Sequence, residues 1–131
     1  MKLYEIERYS ATHPDWEGSF SERLYEHNEW NIDAFWKLHK ELADLAIWLK
    51  TYDEVDKQLF GKLLGIQKSV WMMVASHFNK NDTVLINGVT DEELQEFIER
   101  FDMVFLAIST GNILPESSFD LVNPLIKNNQ D

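Results

Sequence analysis

The chain has 131 residues, with 12 Lys+Arg against 23 Asp+Glu and a formal net charge of −11 at pH 7. This length predicts a single domain over 1–131 with a core that needs no staples, and the absence of cysteine excludes a disulfide framework, a thiolate nucleophile and a Cys-ligated metal. So large a negative charge opposes binding to nucleic acid or to an anionic membrane, because both are polyanions.

In chain order, residues 2–9 (KLYEIERY) fit a short extended piece or a first helical turn. No basic stretch runs into an apolar one near the start, so no signal peptide is predicted. A weak helix is predicted over 16–27, with Phe20 and Leu24 inward and Gly18 blurring its start. A strong one follows over 32–50, entered from Asn31. Ile32, Phe35, Trp36, His39, Leu42, Ala43, Ala46 and Leu49 share one face, and Leu38, Leu45 and Trp48 widen it. A third helix is predicted over 53–78 with Asp53 as its cap, and Val55, Leu59, Phe60, Leu63, Leu64, Ile66, Val70, Trp71, Val74, Ala75 and Phe78 keep its period. Gly61 and Gly65 interrupt good helix formers, which points either to a break near 61–65 or to a neighbouring helix crossing closely. Residues 84–86 (VLI) fit an extended piece between NKND and NG. The clearest helix is 91–110: Thr90 and Glu93 form a capping box, Leu94, Phe97, Ile98, Phe101, Val104, Phe105 and Ile108 make the apolar stripe, and Gly111 stops it. Pro115 fits the start of a short helix through Val122, which Pro124 would end. The fold expected is mainly α, a compact bundle of about four to six helices with short irregular ends. The longest apolar windows, 42–49 and 103–108, fall far short of the ~20 residues a membrane span needs, so a cytoplasmic protein is expected.

The charge is segregated. Residues 1–36 carry −5, residues 37–80 carry +2, and residues 81–131 carry −8. Glu92, Glu96 and Glu99 fall on one helix face that Asp102 extends, with only Arg100 to offset them. Glu22, Glu26, Glu29 and Asp33 form a second acidic set. Such faces are either solvated surface or an electrostatic landing site for a basic partner. Of the five Trp, Trp36 and Trp71 sit in apolar stripes and are expected in the core. Trp16 and Trp30 lie in acidic stretches, where they are either exposed anchors or rings tucked over a helix end.

Catalytic signatures are missing. His13, His27, His39 and His77 belong to no His-Glu-x-x-His or Glu-x-x-His pattern, and no nucleophile elbow or phosphate-binding glycine loop occurs. His39 is expected as a core residue and His77 as a cation at a helix C-terminus. The pairs Glu41/Asp44 and Glu92/Glu96 have the donor chemistry for Mg²⁺ or acid–base work, but on exposed helices such pairs are usually solvated. The expectation is a protein that is not an enzyme and has no cofactor and no metal.

The size, the charge, the acidic helix TDEELQEFIERFD (90–102) and the acidic, aromatic stretch YEHNEWNIDAFW (25–36) resemble the small immunity proteins of bacterial contact-dependent growth inhibition and related polymorphic toxin systems. That resemblance implies a stoichiometric antitoxin, favoured as a monomer. It would bind the C-terminal domain of a cognate toxin, many of which are nucleases, with a ribonuclease favoured here. The contact residues are assigned by charge, not by a family motif: Glu92, Glu96, Glu99 and Asp102 as one set, Glu22, Glu26, Glu29 and Asp33 as another, and Trp30 as an anchor. An acidic adaptor for a basic cellular protein fits the same residues, and so, less well, does a small carboxylate–Mg²⁺ enzyme or a purely structural oligomer.

Overall fold

In the computed structural model, which describes residues 1–127, each longer helix begins at a side chain that accepts a free backbone amide. Ser19 caps α2 (Phe20–His27), Asn31 caps α3 (Ile32–Leu49), and Asp56 caps α4 (Lys57–Phe78). Thr90 caps α5 (Asp91–Thr110) in the expected box, with Thr90 Oγ1 accepting from the Glu93 amide and Glu93 Oε1 from the Thr90 amide. A five-residue α1 (Tyr4–Arg8) precedes them, and a 3-10 turn (Glu116–Ser118) follows. Helix α1 has no cap of its own. Glu41 on α3 supplies one, its two oxygens taking the amides of Glu5 and Ile6 at 3.0 and 2.6 Å.

Two expectations at α4 are corrected. It starts at Lys57 and not at 53, because Asp56 and not Asp53 holds the first amides. It also runs unbroken through Gly61 and Gly65, and no atom lies within 4 Å of the position a Cβ would take at either. The glycines mark neither a break nor a helix crossing. Residues 84–86 form no strand. One parallel bridge, Glu29 with Asn87, is the only sheet-like pairing among the described residues.

The core gathers on α3. Its contact with α5 is the most extensive between helices, and rings fill the junction. Phe35 lies 5.1 Å from Trp30 and from Phe97, Trp36 lies 5.2 Å from Phe97, and Phe20 lies 4.9 Å from Trp30. Aromatic pairs at these spacings add to what area burial alone contributes. Helix α4 buries a single row, Leu59, Leu63, Ile66, Val70 and Val74, and its main backbone contact among the helices is with α1.

Residues 111–127 strap the α3–α5 pair. Gly111 takes the left-handed conformation (φ +75°) that ends α5. Glu116 then binds the buried Arg100 guanidinium through Oε2 and accepts the Asn123 amide at Oε1. The Asn123 side chain donates to the Trp36 carbonyl and to His39 Nδ1. Burial, and the positive charge of Arg100, push His39 down to about 3, so it is a neutral core residue as expected.

Candidate functional site

The acidic face of α5 forms because its apolar residues recur at three- and four-residue steps and turn the glutamates outward. Leu94, Phe97, Ile98, Phe101 and Val104 are buried, which leaves Glu92, Glu96 and Glu99 exposed. None of these three takes part in an ion pair among the described residues. Arg100, which the sequence sets against them, is only 3% exposed. Glu116 neutralises it, and the Phe119 ring covers it with its centroid 3.6 Å from the guanidinium carbon. The one cation of the helix is therefore withdrawn from its surface.

The strap adds a carboxylate that sequence reasoning missed. Glu96, Glu99 and Asp120 rim a depression of about 180 Å³ whose walls include Arg100, Phe119 and Leu121. Asp120 lies in the Pro115–Pro124 segment, where the expected short helix is only the 3-10 turn Glu116–Ser118 followed by loop, so no sequence signal placed it beside α5. The depression has the charge and size to take a lysine or arginine side chain from a partner.

Asp102 belongs to the other edge of α5. It is half-buried and accepts a hydrogen bond from Trp71 Nε1 at 2.9 Å. Trp71 is 40% exposed, which corrects its expected place in the core. Phe60, Leu64 and Phe78 of the same apolar period are also exposed. Because α4 stands away from α5, a groove of about 670 Å³ opens between Leu49, Tyr52, Val55, Phe60 and Leu64 on one side and Phe105, Leu106 and Ile108 on the other.

The second acidic set is dispersed. Glu22 is buried at 7% exposure and works locally. Its Oε1 accepts the Gly18 amide and its Oε2 meets His27 Nε2 at 2.7 Å. The Gly18 amide, against the opposing effect of burial and with help from His27, holds this carboxyl below the usual range. Glu29 is half-buried in the bridge with Asn87, 3.8 Å from Arg23. Only Glu26 and Asp33 of this set are exposed, and Asp33 sits in the first turn of α3, where its charge complements the helix dipole.

Trp30 is not available as an anchor. It is 1% exposed, packed between Phe20, Phe35 and Phe97, because its backbone amide donates to the Asn87 carbonyl at 2.9 Å and draws the ring inward. Trp16 is half-buried, tied by Nε1 to Ser21. His77 links the end of α4 to the start of α5: Nδ1 accepts the Ile86 amide and Nε2 lies 2.8 Å from Asp91. It is a two-sided bridge in the last turn of α4, where the sequence placed it.

The carboxylate pair Glu41/Asp44 is also spoken for. Glu41 caps α1, and burial pushes its carboxyl above the ordinary range against the pull of the two amides. Asp44 takes Lys40 Nζ at 2.7 Å. Among the described residues no group of three His, Asp or Glu is placed to hold a metal ion, and no helix is long and apolar enough to cross a membrane.

Comparison with family models, with curated proteins and with solved structures finds no match to this chain. The functional reading therefore stands on the geometry of its own surface.

Proposed function

We propose that this protein is a non-catalytic antitoxin, an immunity protein of the contact-dependent growth inhibition type. It neutralises a cognate toxin domain, with a ribonuclease the favoured target, by covering a basic substrate cleft. The observation that supports the reading is the row of unpaired carboxylates on α5, joined by Asp120, with the helix's only arginine buried and neutralised. A nuclease cleft is built to receive phosphates at close spacing, and a row of carboxylates on one helix face competes for the same cations. Complementary fields also speed encounter and reject wrong partners. Such work belongs in the cytoplasm, where the delivered toxin acts.

The direct test is growth rescue. The C-terminal domain encoded immediately upstream of this gene is induced with and without this protein. Specific rescue, absent with an unrelated acidic helical protein, supports immunity; killing that this protein does not relieve overturns it. With the purified pair, reversing Glu96 and Glu99 to Lys is expected to slow association at least tenfold and flatten its salt dependence. Stability should change by less than about 0.5 kcal/mol, because both side chains are exposed and unpaired. An unchanged on-rate would remove α5 from the contact.

A further inference from the structure

Asn87 is the one asparagine of the chain that glycine follows. The pair lies in the segment between α4 and α5, and both residues are exposed. The main chain of Asn87 is held on both sides. Its amide donates to the Asn28 carbonyl at 2.8 Å, and its carbonyl accepts from the Trp30 amide at 2.9 Å. The groups next to that bridge are not engaged. Among the described residues neither the Asn87 side chain nor the Gly88 amide takes part in a hydrogen bond.

This sets an electrophile beside a nucleophile. Attack of the Gly88 nitrogen on the side-chain carbonyl carbon of Asn87 closes an unstrained five-membered ring. Gly88 has no Cβ to shield its nitrogen, and exposure admits water and hydroxide. The Trp30 amide contributes as well. It hydrogen-bonds the carbonyl of the Asn87–Gly88 peptide unit, so it stabilises the anion left when the Gly88 nitrogen loses its proton. Ring closure also turns the Cα–C bond of Asn87, and the hydrogen bonds to Asn28 and Trp30 resist that turn.

We propose that Asn87 is a self-modification site in the folded protein, where the Gly88 nitrogen closes on the Asn87 side chain and the isoaspartate that results releases Trp30 from the core. Hydroxide takes the Gly88 proton. The nitrogen bonds to Asn87 Cγ, the bond from Cγ to the side-chain nitrogen breaks, and that nitrogen leaves as ammonia with a proton from water. Water then opens the cyclic imide. Opening at the side-chain carbonyl gives aspartate, and opening at the main-chain carbonyl gives isoaspartate. In sum one water enters and one ammonia leaves, with no oxidation or reduction. Isoaspartate routes the main chain through the former side chain. It adds one methylene between the amide that meets Asn28 and the carbonyl that meets Trp30, so the two hydrogen bonds lose their common register. Trp30, 1% exposed, then loses the contact that draws its ring inward. The chemistry is independent of the antitoxin reading.

The test keeps the full chain folded at pH 8 and 37 °C and digests samples with trypsin over time. Cleavage after Lys80 and Arg100 isolates residues 81–100. That peptide is expected to gain the mass of an amide-to-acid exchange and to accept methyl groups from an isoaspartyl methyltransferase. The rate should rise about tenfold per pH unit, as the deprotonated fraction of the Gly88 nitrogen does. It should stay within about tenfold of the rate in guanidinium chloride, where no fold restrains the ring closure. Asn87→Gln, whose ring would be one atom larger, should stop the reaction. Anion exchange separates the modified chain by its added charge. In its isoaspartate form the Trp30 amide should exchange with solvent at least about tenfold faster than in the unmodified chain. Asn87→Asp adds the charge without the methylene and should change that exchange by less than about threefold.

Conversion in the folded chain more than about tenfold slower than in the unfolded one, or earlier conversion at another asparagine, would overturn the site. An isoaspartate form whose Trp30 amide stays as protected as before, or an Asn87→Asp variant that loses as much protection, would overturn the release of Trp30.

Discussion

Gly88 holds φ at +95°, and a Cβ there would lie 2.9 Å from the Trp30 carbonyl oxygen. Neither the left-handed conformation nor the clash is relieved cheaply, because the obstacle is backbone. Gly88→Ala is expected to cost about 2 kcal/mol, read as a lower urea midpoint with an unchanged slope. The effect would locate the 86–89 turn as the piece that holds Trp30 inside. His39 gives a second test at this scale. Its folded value is depressed to about 3 from 6.5, so the neutral ring contributes stability that is present above pH 6.5 and is lost as the pH falls toward 3. Between neutral pH and pH 5 wild type should lose about 2 kcal/mol that His39→Gln does not lose. Urea titrations of both proteins at pH 7.5, 6 and 5 check it; parallel curves would mean that His39 protonates freely in the fold. Both residues show the limit of reading positions singly. His39 was legible as core because it falls on a strong apolar face. Trp30 was not, because an indole among Asn, Glu and Asp reads as surface until the Asn87 pairing draws it in.

Helix α4 was legible as a helix and contributes to the core, but Trp71 was misread as one of its core residues. Its apolar residues keep the 3.6-residue period on two adjacent rows, and periodicity does not say which row meets a neighbour. Leu59, Leu63, Ile66, Val70 and Val74 are buried, while Phe60, Leu64, Trp71 and Phe78 face outward. The two glycines sit where nothing approaches. Gly61→Ala and Gly65→Ala should therefore each stabilise the protein by about 0.5–1 kcal/mol, seen as a rise in Tm. Destabilisation by either would show that the positions are filled in solution. Helix α5 was legible throughout, because its capping box, stripe and terminal glycine all act within a few residues of one another. Its acidic face followed from the same pattern, and Glu92, Glu96 and Glu99 lie where that pattern puts them.

At the scale of the whole molecule, the strap closes the structure with one buried ion pair. Arg100 and Glu116 are both nearly inaccessible, and Glu116 also holds Asn123, which reaches Trp36 and His39. Glu116→Gln leaves a buried guanidinium without its counter-charge and is expected to cost about 3 kcal/mol. It should also make residues 111–127 a site of limited proteolysis. In a double-mutant cycle, Arg100→Met with Glu116→Met should lose less than the two single changes together, since neither charge is then stranded. The same pair shapes the surface. By burying the only cation of α5 it leaves the glutamate row unopposed, and it brings Asp120 beside Glu96 and Glu99.

The amino-acid sequence by itself determined the longer helices, the caps of α3 and α5, the absence of thiol chemistry and the presence of an acidic helix face. All of these depend on neighbours three or four residues apart, or on composition alone. Tertiary structure decided which carboxylates are free. It spent Glu41 on α1 and Glu22 on a loop amide, tied Asp102 to Trp71, and recruited Asp120 from a distant segment. It also decided that one row of α4 stays uncovered. Burial and hydrogen-bond partnership are set by which helices meet, and the chain encodes those meetings only through contacts between residues far apart in its order.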